Sequence, residues 1–281
     1  MAAKDWNVTR RHGGSMCFNQ DKVEITERIR KRIEEADLVL AGLGEELDVV
    51  RLVREDSWYQ AKVQNIKNDW IIPYVEKLRI EQMAKGRCDM YKQLCFCLAQ
   101  KNYFIVSVCQ DDMIKGAGFD ESRIVEPCGG HRKLQCSEKC SGELYEVPEK
   151  LLNQIKDFLD GKLTEEDLDE PLCPGCGKPL VFNNIGAANY VEEGYLNQWM
   201  RYKKWLQGTV NKNVCLLEIG VGMKYPTVIR WPFEKITFYN QKAELFRVHS
   251  KLYQMAEEIK ERGYGICQKP EEFLKELSKG I

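Results

Sequence analysis

Leu38-Val39-Leu40-Ala41-Gly42-Leu43-Gly44 is a short apolar run that closes on two glycines, and Val214-Cys215-Leu216-Leu217-Glu218-Ile219-Gly220-Val221-Gly222 repeats the design far along the chain. Apolar runs of this length, ended by turn residues, mark strands buried on both faces of a parallel sheet. Tyr103-Phe104-Ile105-Val106-Ser107-Val108 is a third such run, and residues 236–239, just before Asn240, read as a fourth. Residues 180–185 read as a further strand. Between the strands the period becomes helical: Ile25, Ile29 and Ile33 share one face of a helix starting near Lys22. Residues 192–207 form an amphipathic helix bearing Trp199 and Trp205, 147–168 a charged helical insert, and 252–277 a mostly helical tail. Residues 56–100 read as helical and interrupted near Pro73, because an interior proline clashes with the preceding turn. Strands alternating with helices give the α/β class, a Rossmann-like parallel sheet with helices on both faces. Ligands of such sheets gather at the carboxyl ends of the strands. Here those ends are Gly42 and Gly44, Cys109 with Asp111, Gly220 with Gly222, and Asn240, all predicted to line one crevice.

The chain has 281 residues, enough for one large domain or a large one plus a small one. With 42 basic and 43 acidic side chains the net charge is −1, which offers a polyanion no general attraction and argues against nucleic acid as partner. No apolar run approaches the roughly 20 residues that cross a bilayer, and the amino-terminal stretch lacks the apolar segment of a secretory signal. A cytoplasmic location with no membrane partner is the expectation. Its twelve cysteines are then expected as thiols or metal ligands rather than disulfides.

Four of them carry the sharpest local signal. Cys136-Ser-Glu-Lys-Cys140 and Cys173-Pro-Gly-Cys176 are two short pairs about thirty residues apart. Zinc prefers four thiolates in a tetrahedron, and each short loop delivers two sulfurs to one side of the ion. Four protein ligands leave no open position, so the predicted zinc is structural. The glycine turns say less, since many α/β loops carry glycine only for the turn. Glu45 and Glu46, directly after the first one, would repel a pyrophosphate placed there.

Several separate motifs resemble the sirtuins, and among them the bacterial branch linked to protein ADP-ribosylation. They are Asp111 with Ala117-Gly118-Phe119-Asp120, Cys128-Gly129 with Leu134-Gln135-Cys136, and Glu218-Ile-Gly-Val-Gly222 with Pro226 and Pro232-Phe233, then Tyr239-Asn240 and Phe246-Arg247-Val248. The resemblance runs from about residue 36 to 248 and is strongest after Tyr103. It implies a Rossmann-type domain (22–126 and 185–281, with a helical insertion at about 57–100), a small zinc-binding domain (127–184), and NAD between them. Residues 1–21 are expected as an irregular arm. By the same resemblance Ala41, Gly42 and Gly44 would line the phosphates. Asp111 would belong to the nicotinamide side. Gly220, Val221 and Gly222 would approach the cofactor, and Asn240 would bond the adenosine ribose.

Departures from the family pattern fall at its chemical centre. Cys128 stands where the family has a catalytic histidine, Cys109 where it has an asparagine, and Glu45-Glu46 where its glycine loop continues differently. An imidazole of pKa about 6.5 suits proton transfer, whereas a thiol of about 8.5 stays mostly protonated. His131 is read either as a displaced base or as a loop or surface histidine; His12 and His249 are read as structural or exposed. Cys109 and Cys128 are expected to face one pocket, as a redox pair, a retuned centre or plain filling. Cys88, Cys95, Cys97, Cys215 and Cys267 read as small core residues, and Trp58, Trp70, Trp199, Trp205 and Trp231 as packing. Two functions follow: an atypical NAD-dependent transferase, of the protein-lysine deacylase or ADP-ribosyl-transfer type, with a protein or peptide substrate; or a catalytically silent sensor or interaction module for NAD or ADP-ribose.

Overall fold

A computed structural model describes residues 19–85 and 87–279. The expected arm and His12 therefore fall largely outside the described residues. Helix α1 (Asn19–Glu35) leads into β1 (Leu38–Leu43). Four helices follow: α2 (Val49–Glu55), α3 (Ser57–Val63), α4 (Ile72–Ala84) and α5 (Cys88–Leu98). Next come β2 (Tyr103–Ser107) and the short β3 (Ile124–Val125). A separate segment then carries β4 (Gly129–Cys136), β5 (Tyr145–Glu146), α6 (Glu149–Leu159) and β6 (Leu180–Asn184). The chain returns through α7 (Glu193–Gln207), β7 (Val214–Ile219), α8 (Arg230–Tyr239) and β8 (Ala243–Val248), and finishes with β9 (Gly263–Ile266) and α9 (Pro270–Leu277).

Six strands form one parallel sheet in the order β3-β2-β1-β7-β8-β9. Alternation along each strand divides the core in two. Val39, Ala41 and Leu43 of β1, with Cys215, Leu217 and Ile219 of β7, pack beneath α1, α5 and α9. Leu38 and Leu40, with Val214 and Leu216, face the other way toward Tyr202 of α7 and Phe233 of α8. Helices thus cover both faces, as the continuous apolar strands require. The second sheet, β5-β4-β6, is antiparallel and holds the cysteine pairs at its end. Among the described residues no helix is long and apolar enough to cross a membrane.

Several local expectations fail for identifiable reasons. Residues 236–239 are the last turn of α8, not a strand. The strand in that position is β8, whose Ala-Glu-Leu-Phe-Arg-Val sequence hides its burial because Arg247 is charged. Its guanidinium is fully buried yet paired in a bidentate contact with Glu218 across β7, at 2.7 and 3.0 Å. The tail is less helical than its pattern suggests, since β9 extends the sheet and α9 is only 8 residues long. Pro73 starts a helix instead of breaking one: it occupies the first turn of α4, where a missing N–H costs nothing. The first helix begins at Asn19, before Lys22.

Candidate functional site

Cys136 ends β4, Cys140 follows in the next turn, and Cys173 and Cys176 sit in the turn before β6. All four sulfurs lie within 4.8 Å of one another. Cys136 Sγ is 3.4 Å from Cys176 Sγ, and Cys140 Sγ is 3.6 Å from Cys173 Sγ. A tetrahedral ion with bonds of about 2.3 Å sets sulfurs about 3.8 Å apart, so the donor set fits one zinc held by Cys136, Cys140, Cys173 and Cys176.

At the carboxyl edge of the main sheet the loops after β1, β7 and β8 are stitched together. Gly44 N donates to Ile219 O at 2.9 Å and Glu46 N to Gly220 O at 3.0 Å. Gly44 lies so close to the next loop that an added Cβ would be 2.2 Å from Val221 Cα, which only glycine allows. Gly42 is glycine for another reason, because a Cβ there would strike Ile229, just before α8, and Phe233 within it. Ala41 and Gly42 both lie inside β1 with their faces covered, and only Gly44 reaches the edge. Glu45 Oε2 accepts from Gly222 N at 2.7 Å. Glu46 Oε2 accepts from Ser250 N at 3.0 Å, and its second oxygen takes the Ser250 hydroxyl. Arg230 binds both neighbouring loops from below, donating to Val221 O at 2.6 Å and Leu252 O at 2.9 Å.

His249, read as structural or exposed, is buried at the end of β8. Its Nδ1 accepts from Lys251 N and Leu252 N, both at 3.0 Å, so the ring proton sits on Nε2. Burial lowers its pKa, and the ring is a neutral cap on the loop rather than an ionic partner of Glu46 3.2 Å away. Asn240 lies at the opposite, amino-terminal edge of the sheet, three residues before β8. Its amide is committed to Thr209 O and Lys212 O, each at 3.0 Å. It does not line the crevice, and the ribose role expected for it is withdrawn.

The loop after β2 is held by carboxylates. Asp111 accepts from Val49 N at 2.9 Å and Met113 N at 3.0 Å, while Asp48 accepts from Gln110 N and Val50 N, each at 3.0 Å. Each aspartate thus binds the other's loop. Burial, then the charge of Asp48, push the Asp111 carboxyl up to about 8 against the pull of those amides. Asp112, in a left-handed conformation, takes His131 N at 2.7 Å. His131 is neither a loop nor a surface residue: it lies on β4 at 5% exposure. Its Nδ1 donates to Gln110 O at 3.0 Å and its Nε2 to Glu76 at 3.2 Å. Burial works against its charge, but Glu76 and the Gln110 carbonyl outweigh it and raise its pKa. The ring is a locked imidazolium, not a spare base.

Cys109 and Cys128 do not share a pocket. Cys109 packs on the α5 side and donates to Gly44 O at 3.3 Å, while Cys128 lies in the cluster on the α8 side. Burial lifts the Cys109 thiol well above its ordinary value. Burial, then the charge of Glu45, push Cys128 up to about 12. Beside Cys128, a cavity of about 280 Å³ opens between Gly129 and Gly130 of β4, Glu126, Lys115, and Tyr190 and Tyr195 at the head of α7. Glu126 is paired with Lys115 at 3.0 Å, and burial raises it to about 6.

Superposition on solved proteins settles the architecture. The chain aligns over 91% of its length with 99% of a sirtuin solved in a study of substrate affinity, with TM-score 0.53 and 13% identity. A Sir2 solved with a p53 peptide and NAD+ aligns over 90% of this chain and 97% of its own, with TM-score 0.52 and 15% identity. The chain has the sirtuin fold. No protein-family model matches it. Among curated proteins it is similar to a Protein ADP-ribosyltransferase of Staphylococcus aureus, 27% identical over 93% of this chain and 88% of that protein. It is also similar to a Probable bifunctional ADP-ribose hydrolase/ADP-ribosyltransferase of Fusarium oxysporum, 26% identical over 52% of this chain but only 25% of that protein.

The loops after β1, β7 and β8 share the carboxyl edge of the sheet, where ligands of parallel α/β sheets gather, and two of the amides there are already taken. Gly222 N and Ser250 N, which could hold a phosphate, already hold Glu45 and Glu46. While both acids stay seated, these two amides are closed to a pyrophosphate. Sequence reasoning overlooked Asp48, Glu76, Gln110 and Asp112. Asp48 was readable as the residue capping α2, whereas a buried glutamate in mid-helix such as Glu76 has no local signature.

Proposed function

We propose that the protein is an NAD-binding, sirtuin-like transferase of the ADP-ribosyl-transfer or protein-lysine deacylase type, with Cys128 at the family's histidine position. The carrying observation is the similarity across 93% of the chain to a protein ADP-ribosyltransferase, on a fold whose solved members include a Sir2 with NAD+ and a peptide. NAD or ADP-ribose and a protein or peptide acceptor are the partners. NAD supplies an ADP-ribosyl group activated by its nicotinamide leaving group. Of the expected cofactor positions, Gly44, Gly220, Val221 and Gly222 lie on loops at the carboxyl edge of the sheet, which supports giving them to the cofactor. The segment 127–184 acts as the zinc-stapled small domain beside a nucleotide-binding domain of 22–126 and 185–281. Reduced cysteines suit a cytoplasmic location.

The four catalytic candidates differ from a working base. Burial pushes the thiols of Cys128 and Cys109 up, away from the thiolate, Glu76 and the Gln110 carbonyl favour the charged form of His131, and burial beside Asp48 favours the protonated form of Asp111. Their contribution is to shape and close the site. This same observation favours a second reading, a silent sensor of NAD or ADP-ribose. Following nicotinamide release from NAD in the presence of an acyl-lysine peptide separates the two. Release above heat-inactivated protein supports the transferase, and Cys128→Ala then changes it by no more than about twofold, because a protonated thiol contributes no base. Calorimetric binding of ADP-ribose without any release would sink the transferase and leave the sensor.

A further inference from the structure

The two acids after β1 are not equivalent. Glu46 is anchored through both oxygens on Ser250, and its own N–H holds Gly220 O. Glu45 has one hydrogen bond, to Gly222 N, and its other oxygen, Oε1, is buried without a partner. A buried acceptor with no donor is a standing cost, because it has lost water and gained nothing. The seat is tight: a Cβ on Gly222 would stand 3.1 Å from the carboxylate oxygen and would crowd it. Lys224, two residues on, stacks over Tyr225 at 5.1 Å and forms no ion pair among the described residues. A cation is therefore at hand in the same loop for a second anion.

We infer that Glu45 is a built-in stand-in for the ligand's anionic group: its carboxylate fills the Gly222 amide that a phosphate-bearing ligand takes, and such ligands enter by displacing it. The inference rests on the nucleotide-binding reading above and deepens it, by naming the residue that sets access to that site. A carboxylate and a phosphate both accept from a backbone N–H, but a phosphate brings further oxygens that can engage Lys224 as well. Glu45 gives up one hydrogen bond and a partnerless oxygen when it swings out to solvent. The seated form lowers the fraction of protein ready to bind, and so weakens apparent affinity by that fraction. A ligand without phosphate has nothing to exchange for Glu45 and escapes the penalty.

Titration calorimetry of the full chain with ADP-ribose, NAD and adenosine tests this in wild type, Glu45→Gln and Glu45→Ala. Glu45→Gln retains an acceptor for Gly222 N and controls for folding. Removing the seated anion is expected to tighten ADP-ribose about tenfold in Glu45→Ala, with a smaller gain in Glu45→Gln and no change for adenosine. Unchanged or weaker ADP-ribose binding in both variants, or an equal gain for adenosine, overturns the inference. Should no variant bind NAD or ADP-ribose, the nucleotide reading falls, and the seat is judged separately by amide NMR with inorganic pyrophosphate. A Gly222 amide that shifts with pyrophosphate in Glu45→Ala but not in wild type upholds the exchange; no shift in either rejects it.

Discussion

The thiol cluster at the end of β4 and the acid pair after β1 are both crowds of potential anions, and the chain treats them in opposite ways. Around Cys136, Cys140, Cys173 and Cys176 the four sulfurs converge on one another within 4.8 Å, and a cation is what lets thiolates meet so closely. After β1 the carboxylates point outward, to amides of two other loops, and the chain supplies its own donors. The first arrangement needs a foreign ion to be complete, whereas the second is closed by the chain's own donors, with one oxygen of Glu45 left over, until a foreign anion competes. Geometry of donors, rather than the number of charges, separates a site that recruits from a site that resists.

The strongest way to break the contrast is to remove the ion. Elemental analysis of the purified protein should find one zinc per chain, and chelation or a Cys140→Ser, Cys176→Ser pair should lower the melting temperature by roughly 10 °C or more, with the β5-β4-β6 lobe melting first. Metal-free protein with unchanged melting would dissolve the comparison. A smaller effect is expected at the locked imidazolium, where His131→Gln deprives the buried Glu76 of a partner and should cost about 3 kcal/mol in urea unfolding. Glu76 is held near 2, from 4.5, as the His131 and Arg54 bonds outweigh its burial, so its share of stability is present above 4.5 and lost as pH falls. His131 is raised from 6.5, so its share is full below 6.5 and lost as pH climbs through the raised value. The gap between wild type and His131→Gln should therefore be widest between pH 4.5 and 6.5. A gap independent of pH would remove the charge from that account. Smallest is Asn240→Ala, expected to cost about 1 kcal/mol through three lost side-chain hydrogen bonds and to leave ADP-ribose affinity untouched. A weakened affinity would return Asn240 to the crevice.

What the sequence revealed follows the range of the forces involved. Cys136 to Cys140 and Cys173 to Cys176 are set by turns of a few residues, and β1, β2 and β7 by burial on both faces, so all were legible. β8 was not, because Arg247 reads as surface until Glu218 is placed on the adjacent strand. Losing β8 misplaced Asn240 by the full length of the sheet, since a strand's end and a helix's end differ by one element. Cys109 and Cys128 were assigned one pocket from a linear match, and the sheet put them on opposite faces. The acid pair was suspected of opposing a phosphate, but its partners on Gly222 and Ser250 come from strands far along the chain, beyond any local pattern.

The pairing of β1 with β7 has a consequence for how the protein is made. Asp37 and Asn213, which meet at the foot of these two strands, are 176 residues apart in the chain. On a ribosome adding about 5–20 residues per second, β1 waits on the order of ten seconds or more with one edge bare. During that wait it can pair only with β2 on its other side. The nascent amino-terminal half is thus the molecule's most vulnerable moment, when an open, wholly apolar strand is exposed to aggregation or chaperone capture.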